Sequence, residues 1–191
     1  MSKVVFRRPE FFCLPLVLLL LPVTAAVAQT YTYSIAGLVG IGGSLDETDA
    51  GFGNPAWQLT FTSDIAEKTY FAARLGGIHW GSEDQVAEVT GPSLLYVTVA
   101  GEYRETRASF SGGFVDPGVY IGLGFYSMDG TDSEGDSTSS TGPGLAIGLT
   151  GDIPMNRKRS LMLRLEFSAH YASLEAAQLF GMAHIGVAYH F

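Results

Sequence analysis

The sequence predicts an all-β fold: an eight-stranded antiparallel up-and-down transmembrane β-barrel, preceded by a cleaved signal peptide. Three observations predict it. The 191-residue chain starts with an export-type segment, then alternates with period two, and has 47% hydrophobic but only 16% charged residues. Soluble domains average roughly 25% charged residues. Much of this surface is therefore expected to face something other than water.

The first 28 residues have the organisation of a secretory signal peptide. A basic start precedes an apolar run over 11–23 and five small residues that end at Ala28. The run is shorter than the roughly 20 residues of a spanning helix and contains two prolines, which favours a cleaved peptide over an anchor. We expect 1–28 to be the signal peptide and 29–191 the barrel domain. Cleavage would remove three basic residues and one acidic residue, and would change the net charge from −8 to −10.

Charge and cysteine content exclude several classes of function. An acidic chain offers no basic surface to neutralise phosphates, so we expect no nucleic-acid partner. The single cysteine, Cys13, lies in the predicted signal peptide. Neither a disulfide framework nor a thiolate metal cage is therefore possible in the exported chain. No cofactor is expected.

Alternation with period two marks eight strands after the signal peptide. In the first, 31–41, the odd positions are Tyr, Tyr, Ile, Gly, Val and Ile, and the even positions are Thr, Ser, Ala, Leu and Gly. The same pattern recurs in 57–65, 69–80, 93–104, 118–128, 143–153, 161–171 and 179–191. Strands of about 9–12 residues are long enough to cross a bilayer at a tilt. Glycine recurs on the second face, which suits a narrow lumen.

A soluble sandwich or a lipocalin would show the same alternation. The glycine-rich face, however, carries too few Lys, Glu and Asp to be a water-exposed exterior. Aromatic residues also gather at the strand ends of the apolar face, as in the girdles of a membrane barrel. They are Tyr31, Tyr33, Tyr103, Tyr189 and Phe191 at one rim, and Trp57, Phe125 and Tyr171 at the other. Finally, the chain stops on a strand, at Phe191.

The last strand carries a resemblance to a known class. Its ending, with Ile185, Val187, Tyr189 and Phe191 on one face, resembles the C-terminal signal of bacterial outer-membrane β-barrels, which the barrel-assembly machinery reads. The segment Gly118–Tyr126 is also similar to strands of the small OmpA/OmpX-like, opacity-type porin family. The resemblance implies a Gram-negative cell envelope, a location in the outer membrane, and contact with lipid and lipopolysaccharide. We expect a monomer.

Charges separate by loop, which predicts the orientation. With a periplasmic N-terminus, the outer loops are 44–56, 81–91, 129–142 and 172–178, and the inner turns are 65–68, 105–117 and 154–159. The outer loops hold eleven Asp and Glu and no Lys or Arg. The inner turns hold Lys68, Arg107, Arg157, Lys158 and Arg159, with Arg104 at a strand end beside one of them.

Six ionisable residues are predicted to project into the lumen. They are Arg74, Glu102, Arg164, Glu166, His170 and His184. They would form either an ion path or catalytic cluster, or a set of paired charges that plugs the barrel. The second interpretation is favoured, because buried charges must be paired and eight strands leave room only for side chains. Glu166 and His184, on neighbouring strands, are the expected pair.

An enzyme is the less favoured alternative. Some small barrels are lipid A deacylases, which resemble this chain in size and carry a His-x-Ser-Asn motif near the C-terminus. Here the nearest match is His170-Tyr-Ala-Ser173, with a different spacing and no following Asn. A Ser-His-acid triad is therefore not expected.

A cation site is conceivable in the third outer loop. Asp129, Asp132, Glu134 and Asp136 offer oxygen ligands at short spacing with glycines between them, as Ca²⁺ prefers. The loop lacks the full spacing of an EF-hand. Acidic Ser/Thr-rich loops are more often simply solvated, and diffuse divalent bridging to lipopolysaccharide is favoured over a defined site.

Three functions follow from these patterns. The first is a structural or surface-interaction barrel with acidic outer loops and a plugged lumen. The second is a narrow channel for small or apolar solutes, suggested by inward Leu38, Leu94, Met128 and Met162. The third is a lipid A-modifying enzyme.

Overall fold

The computed structural model describes residues 33–46, 51–82, 84–86, 89–105, 115–174 and 178–191. The predicted signal peptide 1–28 lies outside these residues, as do Tyr31, Arg107 and parts of the predicted outer loops. Among the described residues, no helix is long and apolar enough to cross a bilayer.

Eight long strands form one antiparallel sheet, in the order predicted. They are β1 (Tyr33–Ser44), β2 (Asn54–Ala66), β3 (Thr69–His79), β4 (Val89–Arg104), β5 (Asp116–Thr131), β6 (Ser137–Pro154), β7 (Leu161–Ala172) and β8 (Leu179–His190). Each strand pairs with its neighbours in sequence. A further two-residue strand, Gln85–Val86, folds back onto the start of β4.

The sheet closes because β1 pairs with both β2 and β8. At the seam, the Tyr33 N–H donates to the Phe191 carbonyl at 3.0 Å, and the Phe191 N–H donates back to the Tyr33 carbonyl at 2.9 Å. Closure leaves no strand edge along the wall, so backbone groups are satisfied without water. The predicted all-β barrel is confirmed.

Burial alternates residue by residue along most of each long strand, as the sequence pattern predicts, with short buried runs such as 76–78 near the acidic end. In β5, for example, inward Tyr120 is buried while outward Ile121 is exposed. The exposed large apolar side chains form a belt around the barrel. It includes Ile35, Val39, Leu59, Val97, Val119, Ile121, Leu123, Leu145, Ile147, Leu149, Phe167, Ile185 and Val187. Such a continuous apolar exterior is atypical of a soluble monomer.

The third outer connection differs from the expectation of a loop over 129–142. β5 continues to Thr131 and β6 resumes at Ser137, paired through Thr131↔Ser137. Only residues 132–136 form the turn, with Gly135 at φ +85°. The Ser- and Thr-rich stretch has no apolar alternation, which is why it was expected to be a loop. Thr favours strands, and pairing with β5 extends the ladder regardless of apolar burial.

Candidate functional site in the barrel interior

A ladder of ion pairs crosses the lower lumen, at the end where the chain termini meet. Glu166 pairs with Arg74, and Arg74 with Glu102, at 3.1 and 2.8 Å. Glu102 pairs with Arg104 at 2.6 Å, and Arg104 with Asp152 at 3.4 Å. Asp152 receives two bonds from Arg164, at 2.7 and 2.6 Å. We call these six residues the ionic ladder. Each is at most 3% exposed, and their formal charges cancel.

Glu166 is the hub of the upper end of the ladder. Its Oε1 accepts hydrogen bonds from Gln58 Nε2 at 3.0 Å, Arg74 Nε at 3.1 Å and Tyr120 OH at 2.8 Å. The donors come from β2, β3 and β5, whereas Glu166 lies on β7. One carboxylate therefore connects four strands across the lumen.

Glycines make room for the tyrosine rings that surround the ladder. The Tyr120 ring lies 3.6 Å from Arg74 Cζ, a cation–π contact, and a Cβ on Gly148 would meet that ring at 2.5 Å. Likewise, a Cβ on Gly76 would meet the Tyr96 hydroxyl at 2.4 Å. Gly148 and Gly76 thus make room for the rings of Tyr120 and Tyr96.

An aromatic layer lies above the ladder. Tyr96 and Tyr126 stack at 6.0 Å between ring centroids, and His170 lies 4.9 Å from Tyr96. The His170 Nδ1 is 2.9 Å from Tyr126 OH, and its Nε2 is 3.0 Å from Ser168 Oγ. Both ring nitrogens of His170 are therefore used inside the barrel.

A cluster of buried apolar residues, which we call the apolar cap, lies at the acidic end of the lumen. Trp80 and Phe180 meet edge to face at 6.4 Å. The cap also includes Ile78, Val86, Leu94, Met128, Leu174 and Met182, all buried. Leu174 lies in the predicted outer loop 172–178, and its side chain is buried in the cap.

The four inward residues that suggested a channel are buried in packed clusters. Leu94 and Met128 belong to the apolar cap. Leu38 and Met162 pack with Ala36 and Ala188.

All six predicted lumen residues are buried inside the barrel, but their pairing differs from the expectation. Glu166 and His184 are direct register partners on β7 and β8, yet no hydrogen bond joins them. Arg74 reaches the carboxylate instead, because its long side chain spans the lumen. His170 lies in the aromatic layer, outside the ladder.

Two members of the ladder were not among the predicted site residues. Arg104 was placed at a strand end beside a periplasmic turn, but its side chain is buried between Glu102 and Asp152. Asp152 follows Thr150 and Gly148 on the inward positions of β6, so the period of two could have identified it.

The motif with the nearest likeness to a deacylase does not form a catalytic pair. His170 is fully buried, whereas Ser173 is exposed at the end of β7. The serine that His170 contacts, Ser168, is itself buried in the lumen.

The acidic turn after β5 uses a carboxylate to hold its own backbone. Asp132 Oδ1 accepts the N–H groups of Glu134 and Asp136, both at 2.9 Å. In the part of the chain that the structure describes, no group of three or more acidic, His or Cys residues could hold a metal ion. The Ca²⁺ hypothesis for Asp129, Asp132, Glu134 and Asp136 therefore gains no geometric support.

A carboxylate also ties the first and fourth outer connections together. Asp46 Oδ2 accepts the N–H groups of Gln178 and Leu179, at 2.9 and 3.0 Å, and Ser44 Oγ donates to Oδ1 at 2.6 Å. Partial burial opposes ionisation, but these hydrogen bonds outweigh it and hold the pKa of Asp46 below its usual value.

The C-terminal residues face outward, as predicted. Ile185, Val187, Tyr189 and Phe191 are all exposed on the outer wall, and the Phe191 ring stacks between Tyr33 and Tyr189. Their proposed recognition by the assembly machinery remains a prediction.

No family model and no curated protein sequence matches the chain. Several solved structures are similar to it in fold. Neisserial surface protein A aligns at TM-score 0.60 and 14% identity, covering 84% of this chain and 97% of that chain. Ail, the attachment invasion locus protein of Yersinia pestis, aligns at 0.55 and 14%, covering 84% and 97%. A major outer membrane protein from Thermus thermophilus aligns at 0.61 and 15%, covering 85% and 100%. The chain therefore has the fold of the small eight-stranded outer-membrane β-barrels.

Proposed function

We propose that this chain is an outer-membrane protein whose closed barrel anchors acidic loops at the cell surface. The observation that carries the proposal is the packing of charged, aromatic and apolar side chains inside the barrel. The ionic ladder, the aromatic layer and the apolar cap lie one above another in the lumen. Buried charges that form ion pairs with one another suit a structural plug better than a path for ions.

The outer wall supports a location in the membrane. Its aliphatic belt is bounded by aromatic side chains, with Trp57, Phe125 and Tyr171 toward one end and Tyr33 and Phe191 at the other. This arrangement is typical of bilayer-spanning barrels, whose aromatic girdles lie at the two lipid–water interfaces.

The charge of the two ends supports the orientation. At the end that bears the termini, the turn over 155–160 contains Arg157, Lys158 and Arg159, and Arg159 forms an ion pair with Asp116. The described residues at the opposite end include Asp46, Asp84, Asp132, Glu134 and Asp136 and no Lys or Arg. We therefore assign the acidic end to the cell exterior.

The structural neighbours support a role in surface interaction and none in catalysis. Two of them are named as a surface protein and an attachment protein. In this chain, the acidic loops are the part that a partner outside the cell would meet. Lipid and lipopolysaccharide would surround the belt, and divalent cations would bridge the acidic loops to lipopolysaccharide diffusely.

Epitope insertion tests the location and the orientation together. One variant carries the epitope between Glu134 and Gly135, and the matched variant carries it between Arg157 and Lys158, both in exposed turns. We expect antibody to label only the first on intact cells and both after lysis. Labelling of only the Arg157–Lys158 variant on intact cells would mean that the barrel has the opposite orientation. Labelling of neither on intact cells would contradict surface display.

A further inference from the structure

Two neighbouring lumen side chains, those of Glu166 and His184, carry polar atoms without a hydrogen-bond partner among the described residues. Glu166 uses Oε1 for three hydrogen bonds, but its buried Oε2 has no hydrogen-bond partner among the described residues. The same holds for both ring nitrogens of His184. Glu166 and His184 are at most 3% exposed and occupy directly paired, inward positions of β7 and β8. Side chains at such positions leave the sheet as immediate neighbours, so the orphaned atoms share one space.

Two guanidinium groups bring further donors to this region. Arg74, bonded to Glu166 through Nε, leaves its Nη1 without a partner in the described structure. Arg164 precedes Glu166 by two residues on the same inward face, and its Nη1 is likewise unpartnered there. The ladder and the adjacent His184 therefore contain unsatisfied donors as well as an unsatisfied acceptor. A buried polar group without a hydrogen bond destabilises the fold, so such atoms are normally satisfied by a partner.

The charge balance of the ladder restricts what could satisfy these atoms. Three arginines face three carboxylates, so the interior is already neutral. A bound ion would add an unpaired charge far from bulk water, which is strongly unfavourable. The occupant must be small and neutral, and must both donate and accept hydrogen bonds.

Water meets these requirements, since buried water typically forms about three hydrogen bonds to otherwise unsatisfied polar groups. We propose that Glu166 and His184 form an internal hydration site. Water there bridges Glu166 Oε2 to the His184 imidazole and accepts from Arg74 and Arg164. Water thus completes the hydrogen bonding of the ladder around Glu166.

The chain contains its own control for this proposal. His170 is as deeply buried as His184, but each of its ring nitrogens lies within 3.0 Å of a side-chain hydroxyl, that of Tyr126 or Ser168. It therefore has no need of water. The two imidazoles differ in hydrogen bonding and share the same barrel.

Water-selective NMR on the full barrel in lipid nanodiscs, with ¹⁵N-labelled histidine, compares the two rings directly. We expect magnetisation transfer from water to the ring proton of His184 and none to that of His170. No transfer to either ring would mean a dry interior, and transfer to both would mean general hydration; each overturns the proposal. A chloride titration that shifts the His184 resonance would replace water by an ion and overturn it as well.

A crystal structure provides the independent measurement. We expect an ordered water within hydrogen-bonding distance of Glu166 Oε2 and a ring nitrogen of His184. Direct contact between the two side chains, or an apolar gap between them, would overturn the proposal. The proposed surface role could fail without affecting either result, because the site lies inside the barrel.

Discussion

Arg74 of β3 and Glu166 of β7 join opposite walls of the barrel, with Nε 3.1 Å from Oε1. Three strands lie between β3 and β7 in either direction around the closed sheet, so this bond spans the lumen. Arg74 also bonds Glu102 on the adjacent strand at 2.8 Å. One side chain therefore both crosses the interior and connects Glu166 to the rest of the ionic ladder.

Removing Arg74 is expected to destabilise the barrel strongly. Arg74→Ala leaves Glu102 and Glu166 buried without their shared cation, and breaking a buried pair in this way costs about 3–5 kcal/mol. Urea unfolding in micelles, followed by heat-modifiable gel migration, measures the loss. Glu166→Ala should likewise lower resistance to heat and urea.

The matched control for Arg74 is the surface pair Lys68–Glu105, whose side chains are 34% and 39% exposed. Lys68→Ala should change the unfolding midpoint little, because water solvates both partners already. If Arg74→Ala were as mild as Lys68→Ala, the ladder would not be a structural element.

Gly148→Ala is expected to displace the Tyr120 ring, since the new Cβ would meet it at 2.5 Å. Overpacking of this kind typically costs about 1–3 kcal/mol, and here the ring also contacts Arg74 and Glu166. Urea unfolding measures the loss. Gly101→Ala is the control, because nothing lies within 4 Å of its Cβ position. Equal stability of the two variants would contradict the role of Gly148 in making room for the Tyr120 ring.

Asp46 is expected to hold the fourth outer connection in place. Asp46→Ala should speed hydrogen exchange of the Gln178 and Leu179 amides, which lose their acceptor. Because the pKa of Asp46 is lowered in the folded state, the stabilisation is complete above the ordinary value of 3.8 and is lost as the pH falls through the lower, folded value. Glu134→Ala, in another loop, should leave both amides protected. Unchanged protection of the two amides in Asp46→Ala near neutral pH would contradict the role of Asp46.

Phe191 is expected to matter for assembly more than for stability. Phe191→Ala should reduce the amount of folded barrel in cells, if the assembly machinery reads the terminal aromatic residue, while refolding into detergent proceeds normally. Phe167→Ala is matched in exposure, at 58% against 61%, and lies away from the terminus. Comparable losses for both variants in cells would argue against a terminal signal.

The fold could be predicted from the sequence because lipid and lumen impose opposite demands on alternate residues. Ile121 and Leu123 could face only an apolar medium, while Gly122 and Tyr120 could face only a crowded interior. The same parity placed Arg74, Glu102, Arg164, Glu166, His170 and His184 inside the barrel.

The contacts within the lumen could not be predicted in this way. The odd or even position of a residue predicts which face of the strand its side chain lies on, but not how far that side chain extends. No sequence pattern therefore indicates the hydrogen bond across the barrel from Arg74 to Glu166. Adjacent strands suggested Glu166 and His184 as a pair, and their register is correct. The guanidinium of Arg74, on the opposite wall, binds the Glu166 carboxylate instead. The burial of Leu174 could not be predicted either, because loop residues do not alternate regularly between buried and exposed positions.

Single-channel recording in planar bilayers tests the central claim most directly, which is that side chains close the lumen. The purified, folded barrel is expected to insert without producing conductance steps, while a general porin in the same bilayer serves as the positive control. Reproducible steps from the folded barrel would contradict a lumen closed by the ionic ladder and the apolar cap.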